Sequence, residues 1–290
     1  MNELLPYKTM PIWNSKNLPE NFMQQHNTEM GTWAKLVILQ GSLTFAMTTE
    51  FGKVTETQIF TPESLTPFVE PQQWHRIVSF SDDMQCQLTF YCTVEDYFTK
   101  KYQMTRTHSD VIEVAKIIAP GQVLDLGCGV GRNALYLNRK GFNVTAWDKN
   151  PDSIDRIQHL IELEKLSGIT AEIKDLNTMA LTGSFDLILS TVVFMFLDRD
   201  RIPSLIENMQ SCTVTGGYNL IVAAMDSPDY PCRLPFPFTF KSDELKAYYQ
   251  GWEIIKYNED AGQLHKTDES GERITLRFAT LLAKKIGFVE

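Results

Sequence analysis

The chain predicts two domains of different class: a small all-β barrel over residues 1–95, then a doubly wound α/β sheet over residues 96–290. Three observations carry this expectation. Between residues 12 and 93, short β-branched and aromatic runs are broken by turn residues, the pattern of a small antiparallel barrel or sandwich. From about residue 107, apolar runs of strand length alternate with amphipathic stretches, which implies a mainly parallel sheet. The length of 290 residues suffices for two ordinary domains with a sizeable core.

In the first half, residues 33–39 run to Gly41, residues 43–47 precede Gly52, and residues 87–92 form a third run, with Pro62, Pro67 and Pro71 between. Residues 97–102, rich in Tyr and Lys, read as the connector. The second half opens on Thr107-His108-Ser109-Asp110, a capping-box pattern, after which Val111, Val114, Ala115 and Ile118 recur at helical spacing. A strand is expected at 123–126, a helix at 132–140, a strand at 143–147 and a helix at 153–166. Further strands are expected at 170–174, 185–190, 217–224, 252–257 and 274–283. No internal repeat is detectable.

The composition is that of a soluble globular protein, 43% hydrophobic and 22% charged. A net charge of −9 opposes binding to nucleic acid or anionic lipid. No apolar run approaches the roughly 20 residues of a membrane span, and the N-terminus lacks a signal-peptide pattern, so a cytoplasmic location is expected. Five scattered cysteines without CxxC spacing read as reduced thiols and not as a disulfide framework or zinc site. One local segment is basic, with Arg273, Arg277, Lys284 and Lys285.

The most informative segment is Asp125-Leu126-Gly127-Cys128-Gly129-Val130-Gly131. A strand, a glycine-rich turn and a helix bring backbone close to a ligand and aim amide donors at it. The dinucleotide fingerprint GxGxxG needs a third glycine where this chain has Arg132, so an NAD enzyme ranks last. GxGxG with an acidic residue inside the strand matches an S-adenosylmethionine site. On that reading Asp125 organises the loop and the amino end of the methionine moiety. Asp148, ending the second strand with Lys149 after it, accepts the ribose hydroxyls. Asp175-Leu176-Asn177 follows the third strand, with Asp175 toward the adenine amino group, and Ser190-Thr191-Val192 borders the methionine. Each alone has a plain alternative: Asp148 as a strand-to-helix turn, Asp175 as a cap. Four in order, each at the carboxyl end of its strand, favour the cofactor.

The strings AWDKN (146–150), ILSTVVFMFL (188–197), GGYNLIVAAMDSPDYPC (216–232) and LRFATLLAKK (276–285) resemble the TehB family of tellurite-resistance methyltransferases, over roughly residues 97–285. The first half resembles the small cupin-like β-barrel of its longer members. The resemblance implies a class I, Rossmann-like methyltransferase sheet, with methyl transfer from S-adenosylmethionine to tellurite and S-adenosylhomocysteine as by-product; selenium oxyanions are compatible further acceptors. It also raises His265 and Arg273, facing across a turn at 267–271, above ordinary surface residues as substrate contacts. Lys266 stands where the family pattern has arginine, which keeps the charge and loses the bidentate fork.

Arg132 and Asn133, opening the helix after the loop, could contact the cofactor or cap the helix. Tyr102 and Arg106 could close over the cofactor, Tyr102 through a cation–π contact, or simply pack at the domain junction. The Pro-rich segment 226–237 is long enough to cover substrate, with Phe236 and Phe238 as walls. His26 and His75 resemble the two halves of a cupin metal pattern, but the HxH pair is absent, and no metal is expected. The expected partner is a small oxyanion, without nucleic acid or membrane; a homodimer is compatible with the sequence. Two alternatives stand: methylation of an organic thiol or amine, and a non-catalytic oxyanion-sensing or partner-binding protein.

Overall fold

The computed structural model describes residues 3–267 and 270–287, with the backbone alone at His265 and Lys266. The chain divides into two compact units, Met1–Arg106 and Thr107–Glu290.

The first unit contains strands β1 (Leu4–Thr9), β2 (Trp13–Asn14), β3 (Trp33–Gln40), β4 (Leu43–Thr48), β5 (Val54–Phe60), β6 (His75–Phe80) and β7 (Gln85–Thr93), then helix α1 (Tyr97–Tyr102). β7 pairs antiparallel with β1, β2 and β3 in one sheet; β4 pairs antiparallel with β5 and β6 in the other. Isolated bridges His26↔His75 and Ala34↔Val69 supplement these ladders. Alternating residues of both sheets, among them Ile38, Leu43, Phe45, Ile77, Cys86 and Leu88, form one core.

The second unit runs α2 (Ser109–Ile117), β8 (Gln122–Leu126), α3 (Arg132–Arg139), β9 (Asn143–Asp148), α4 (Pro151–Leu163), β10 (Ile169–Ile173), β11 (Phe185–Thr191), α5 (Ile202–Cys212), β12 (Thr213–Ala224), α6 (Glu244–Ala247), β13 (Glu253–Thr267) and β14 (Arg273–Lys284). The sheet order is β10-β9-β8-β11-β12-β14-β13. The first five strands are mutually parallel, whereas β14 runs antiparallel to both neighbours. Strand order therefore reverses between β8 and β11, the place where open α/β sheets bind ligands beyond their carboxyl ends.

Local chemistry explains most element boundaries. α4 starts at Pro151 because the Asn150 side chain accepts the Asp152 N–H at 3.0 Å and proline supplies a pre-set φ. Ile154, Ile157 and Leu160 then share its buried face. α2 differs from expectation. Its cap is His108, whose Nδ1 accepts from the Asp110 N–H, while the Thr107 hydroxyl donates to the Arg132 carbonyl. β13 is longer than expected, because residues 258–267 are too polar to read as a strand and are held by pairing with β14. Among the described residues no helix is long and apolar enough to cross a membrane.

Candidate functional site

The carboxyl ends of β8, β9, β10 and β11 surround a cavity of about 330 Å³, lined by Gly127, Gly129, Asp148, Lys149, Lys174, Asp175, Leu176, Thr191, Val192, Val193, Phe196 and Leu197. Seven residues singled out from sequence as cofactor contacts thus share one cavity: Gly127, Gly129, Asp148, Lys149, Asp175, Leu176 and Thr191.

The loop after β8 is held open by its hydrogen bonds. The Gly127 and Cys128 amides both donate to the Trp147 carbonyl, at 2.8 and 2.9 Å, which ties the loop to the end of β9. The Gly129 amide donates to Asp148 Oδ2 at 2.8 Å, and the Asn150 amide to Oδ1 at 2.9 Å. Each carboxylate oxygen retains a lone pair for a further donor. Gly129 has φ +55°, and a side-chain carbon there would meet nothing within 4 Å. Its backbone borders open space, as close approach of a ligand requires.

Asp125 lies beneath the loop, 1% exposed. It accepts from the Ala134 amide and feels the Arg132 guanidinium, yet its Oδ2 has no hydrogen-bond partner. Burial pushes its carboxyl up to about 7, against the pull of Arg132. Burial likewise pushes the Cys128 thiol upward, so it is no nucleophile at neutral pH.

Other residues singled out from the sequence have these partners in the described structure. Asn133 is 2% exposed and hydrogen-bonded at both ends of its amide: Nδ2 donates to Thr191 Oγ1 at 2.9 Å and Oδ1 accepts the His108 amide at 3.1 Å. It braces α3, β11 and the start of α2 and does not line the cavity. Asn177 Oδ1 accepts the Asp198 amide at 3.0 Å, fixing the neighbouring loop. Asp175 combines both of its expected readings, capping the Asn177 amide through Oδ1 at 3.0 Å while lining the cavity. Tyr102 and Arg106 belong to the first unit, where Tyr102 stacks on Phe98 and Arg106 Nε lies 2.9 Å from Asp96 Oδ1.

The hairpin of β13 and β14 exists, with Thr267 opposite Arg273. Arg273 is exposed at the start of β14 and does not line the cavity, while the side chain of His265 lies outside the described residues. Arg277 is committed elsewhere, gripping Asp229 through Nε at 3.0 and 2.9 Å and donating to the Glu259 carbonyl at 2.6 Å. That ion pair ties the 226–237 segment to the hairpin. Of its two phenylalanines, Phe236 meets Phe196 edge-on at 5.4 Å beside the cavity. Phe238 is instead 2% exposed in the core, against Phe240 at 4.6 Å, and is no wall.

Sequence reasoning missed Lys174, Val193, Phe196 and Leu197 as lining residues. It also gave no sign that Val192 adopts φ +62°. A β-branched residue in the left-handed region is strained, and such strain concentrates at functional sites. Its amide is pinned to the Val222 carbonyl at 2.6 Å, which holds the turn after β11.

Comparison with known proteins adds identity to this geometry. A family model described as tellurite resistance protein TehB matches residues 90–282, and one described as a TehB-like domain matches residues 8–88. A protein of Haemophilus influenzae named probable S-adenosyl-L-methionine-dependent methyltransferase TehB is 55% identical over 284 residues, 98% of this chain and 99% of its own. The crystal structure of TehB from Haemophilus influenzae aligns with a TM-score of 0.92 at 55% identity, covering 98% of this chain and 99% of that one. A protein of Eikenella corrodens named hemagglutinin 1 is 46% identical over 238 residues, 82% of this chain and 79% of its own.

Proposed function

The chain belongs to the TehB family and is an S-adenosylmethionine-dependent methyltransferase, and from that premise we propose that its methyl acceptor is tellurite, with selenium oxyanions as further acceptors. The observation that carries the acceptor is the tellurite-resistance description of the family matched over residues 90–282.

Two features suit the cofactor: the unpartnered Asp125 Oδ2, buried beneath the loop and outside the cavity lining, and the open space in front of Gly129, which does line the cavity. Asp125 takes the amino end of the methionine moiety, with Arg132 tempering its charge. Asp148 accepts the ribose hydroxyls, and Asp175 the adenine amino group beside Leu176. Backbone of Gly127, Gly129 and Thr191 fits around the rest, with Lys149 at the rim. S-adenosylmethionine supplies a methyl group already activated by positive sulfur. The chain therefore contributes chiefly alignment, worth up to roughly 7–11 kcal/mol in favourable cases.

Tellurite carries its own lone pair on tellurium, so no side chain has to remove a proton. An oxyanion does need positive charge and hydrogen-bond donors. Lys149 and Lys174 border the cavity, and Arg273 and His265 belong to the neighbouring hairpin. Purified protein incubated with S-adenosylmethionine and tellurite is expected to release S-adenosylhomocysteine in a tellurite-dependent way. Product no greater than in a control without enzyme would overturn the assignment.

A second acceptor class has one observation in its favour. Met195, Val192, Leu234, Phe236, Leu264 and Ile274 share an apolar cluster that includes a cavity-lining residue and the covering segment. An apolar wall suits an organic thiol or amine, so a thiol turned over faster than tellurite in the same assay would shift the assignment to that class.

Asp148 offers a test of the cofactor assignment that is independent of the acceptor. Asp148→Ala removes the acceptor for the Gly129 and Asn150 amides as well as for the ribose. Its S-adenosylhomocysteine affinity, measured by calorimetry, is expected to fall about 5–150-fold, the equivalent of about 1–3 kcal/mol. A change within about twofold would remove the ribose from Asp148.

A further inference from the structure

The first unit holds a cavity larger than the one described above. About 750 Å³ lies between its two sheets, bounded by Ala34, Leu36, Leu88 and Phe90 from one sheet and Phe45, His75 and Ile77 from the other. That volume is in the range of sites for drug-sized organic molecules.

Two histidines stand side by side on this cavity in matching poses. His26 and His75 are cross-strand partners, each amide donating to the other's carbonyl, at 3.0 and 2.8 Å, so both side chains leave the same face. Their rings are 4.2 Å apart between centroids. His26 Nδ1 lies 2.9 Å from the Gln24 carbonyl and His75 Nδ1 2.8 Å from the Gln73 carbonyl. A carbonyl only accepts, so each Nδ1 carries the proton, and in the neutral ring Nε2 carries the lone pair. Neither Nε2 has a hydrogen-bond partner among the described residues. Phe22 packs edge-on against His26 at 5.2 Å, and Phe45 stacks on His75 at 5.3 Å, which fixes both imidazoles. Trp13 extends the same wall, 5.0 Å from Phe22.

We propose that this cavity binds a small aromatic molecule carrying a hydrogen-bond donor, a phenol or a heteroaromatic N–H, whose donor meets the paired Nε2 acceptors of His26 and His75. The aromatic walls supply apolar contact for the body of the ligand, and the two imidazoles supply acceptors otherwise unmatched. Burial pulls His75 down to about 4, which keeps it an acceptor at neutral pH. An oxyanion does not fit, because lone pairs would face lone pairs. Of the two lysines that line the cavity, Lys100 donates to Thr32 Oγ1 at 2.8 Å and Lys8 stands exposed on β1. A metal ion does not fit either: no group of three or more His, Cys, Asp or Glu converges among the described residues, and protein zinc sites use at least three ligands.

The test uses the full chain with naphthol and its methyl ether, which share a ring system and differ in the donor. Calorimetry with S-adenosylhomocysteine present is expected to show one naphthol per chain and an affinity for the ether at least about tenfold weaker, the cost of leaving acceptors unpaired. The double variant His26→Leu/His75→Leu is expected to bind the two compounds alike, with far-UV circular dichroism and a melting transition matching the unaltered chain to certify that the first unit is folded, and with unchanged S-adenosylhomocysteine affinity doing the same for the second. Equal binding of naphthol and ether by the unaltered chain, or no naphthol binding, would overturn the proposal without help from the variant. Stoichiometric zinc binding lost in the double variant would overturn it in favour of a metal site. The cofactor assays above are untouched by any of these results.

Discussion

Gly129→Ala is expected to yield a folded protein that has largely lost its cofactor. The two consequences are separable because the site itself separates them. At φ +55° an alanine pays left-handed backbone strain of about 1–2 kcal/mol, and its methyl group meets no atom of the protein within 4 Å. Stability of the ligand-free protein, from urea denaturation, should therefore fall by about that amount and no more. The same methyl points into the space assigned to the cofactor, and crowding of a packed contact by one carbon costs about 1–3 kcal/mol, or about 5–150-fold in affinity. Gly131→Ala is the contrasting variant. Its added carbon would lie 2.7 Å from Ile157 Cγ1 in the interior, so its loss of binding should come with a loss of fold. Cofactor affinity of Gly129→Ala matching the unaltered chain would show that the ligand does not approach this loop.

The contrast also explains which parts of the site were legible in the sequence. Glycines and carboxylates at strand ends were readable because their spacing is local: Asp125, Gly127 and Gly129 share one turn, and Asp148 and Asp175 each end or follow a strand. Lys174 and Phe196 were not readable, because a lysine next to a strand and a phenylalanine in an apolar run reach a ligand only by tertiary placement. Asn133 shows the converse. Position put it beside the loop, yet its side chain is consumed by His108 and Thr191, a partnership across 25 and 58 residues that no local pattern reports. Phe236 and Phe238 are two residues apart with similar sequence surroundings, and only packing against Phe196 or Phe240 tells wall from core. The paired histidines of the first unit follow the same rule. They lie 49 residues apart in number, and only the bridge between them aligns their rings.

Asp125→Asn should produce opposite effects on stability and on cofactor binding. The folded carboxyl sits near 7 against an ordinary value of 3.8, raised by burial. A raised folded value means that the native state holds a proton which the unfolded chain has already released. The associated stability is fully present below about pH 4 and is lost as pH rises through about 7. The unaltered, ligand-free protein should thus weaken over that interval by at most about 4 kcal/mol, at about 1.36 kcal/mol per pH unit. Asparagine cannot ionise and escapes this loss, although it forfeits the attraction to Arg132. At pH above 7 the ligand-free variant should therefore be about 1–3 kcal/mol more stable than the unaltered protein, with the difference narrowing toward pH 4. Binding runs the other way. The charged carboxylate is the form that receives a cofactor ammonium, so affinity of the unaltered protein should climb as pH approaches 7 from below, up to about tenfold per pH unit. The variant should bind about 10–150-fold more weakly, as expected for loss of a charged hydrogen bond of about 1.5–3 kcal/mol, and without that climb. Denaturation and calorimetry across the same pH series read both arms. A variant destabilised at every pH, or one whose affinity climbs like that of the unaltered chain, would show that the buried carboxylate serves the fold and not the ligand.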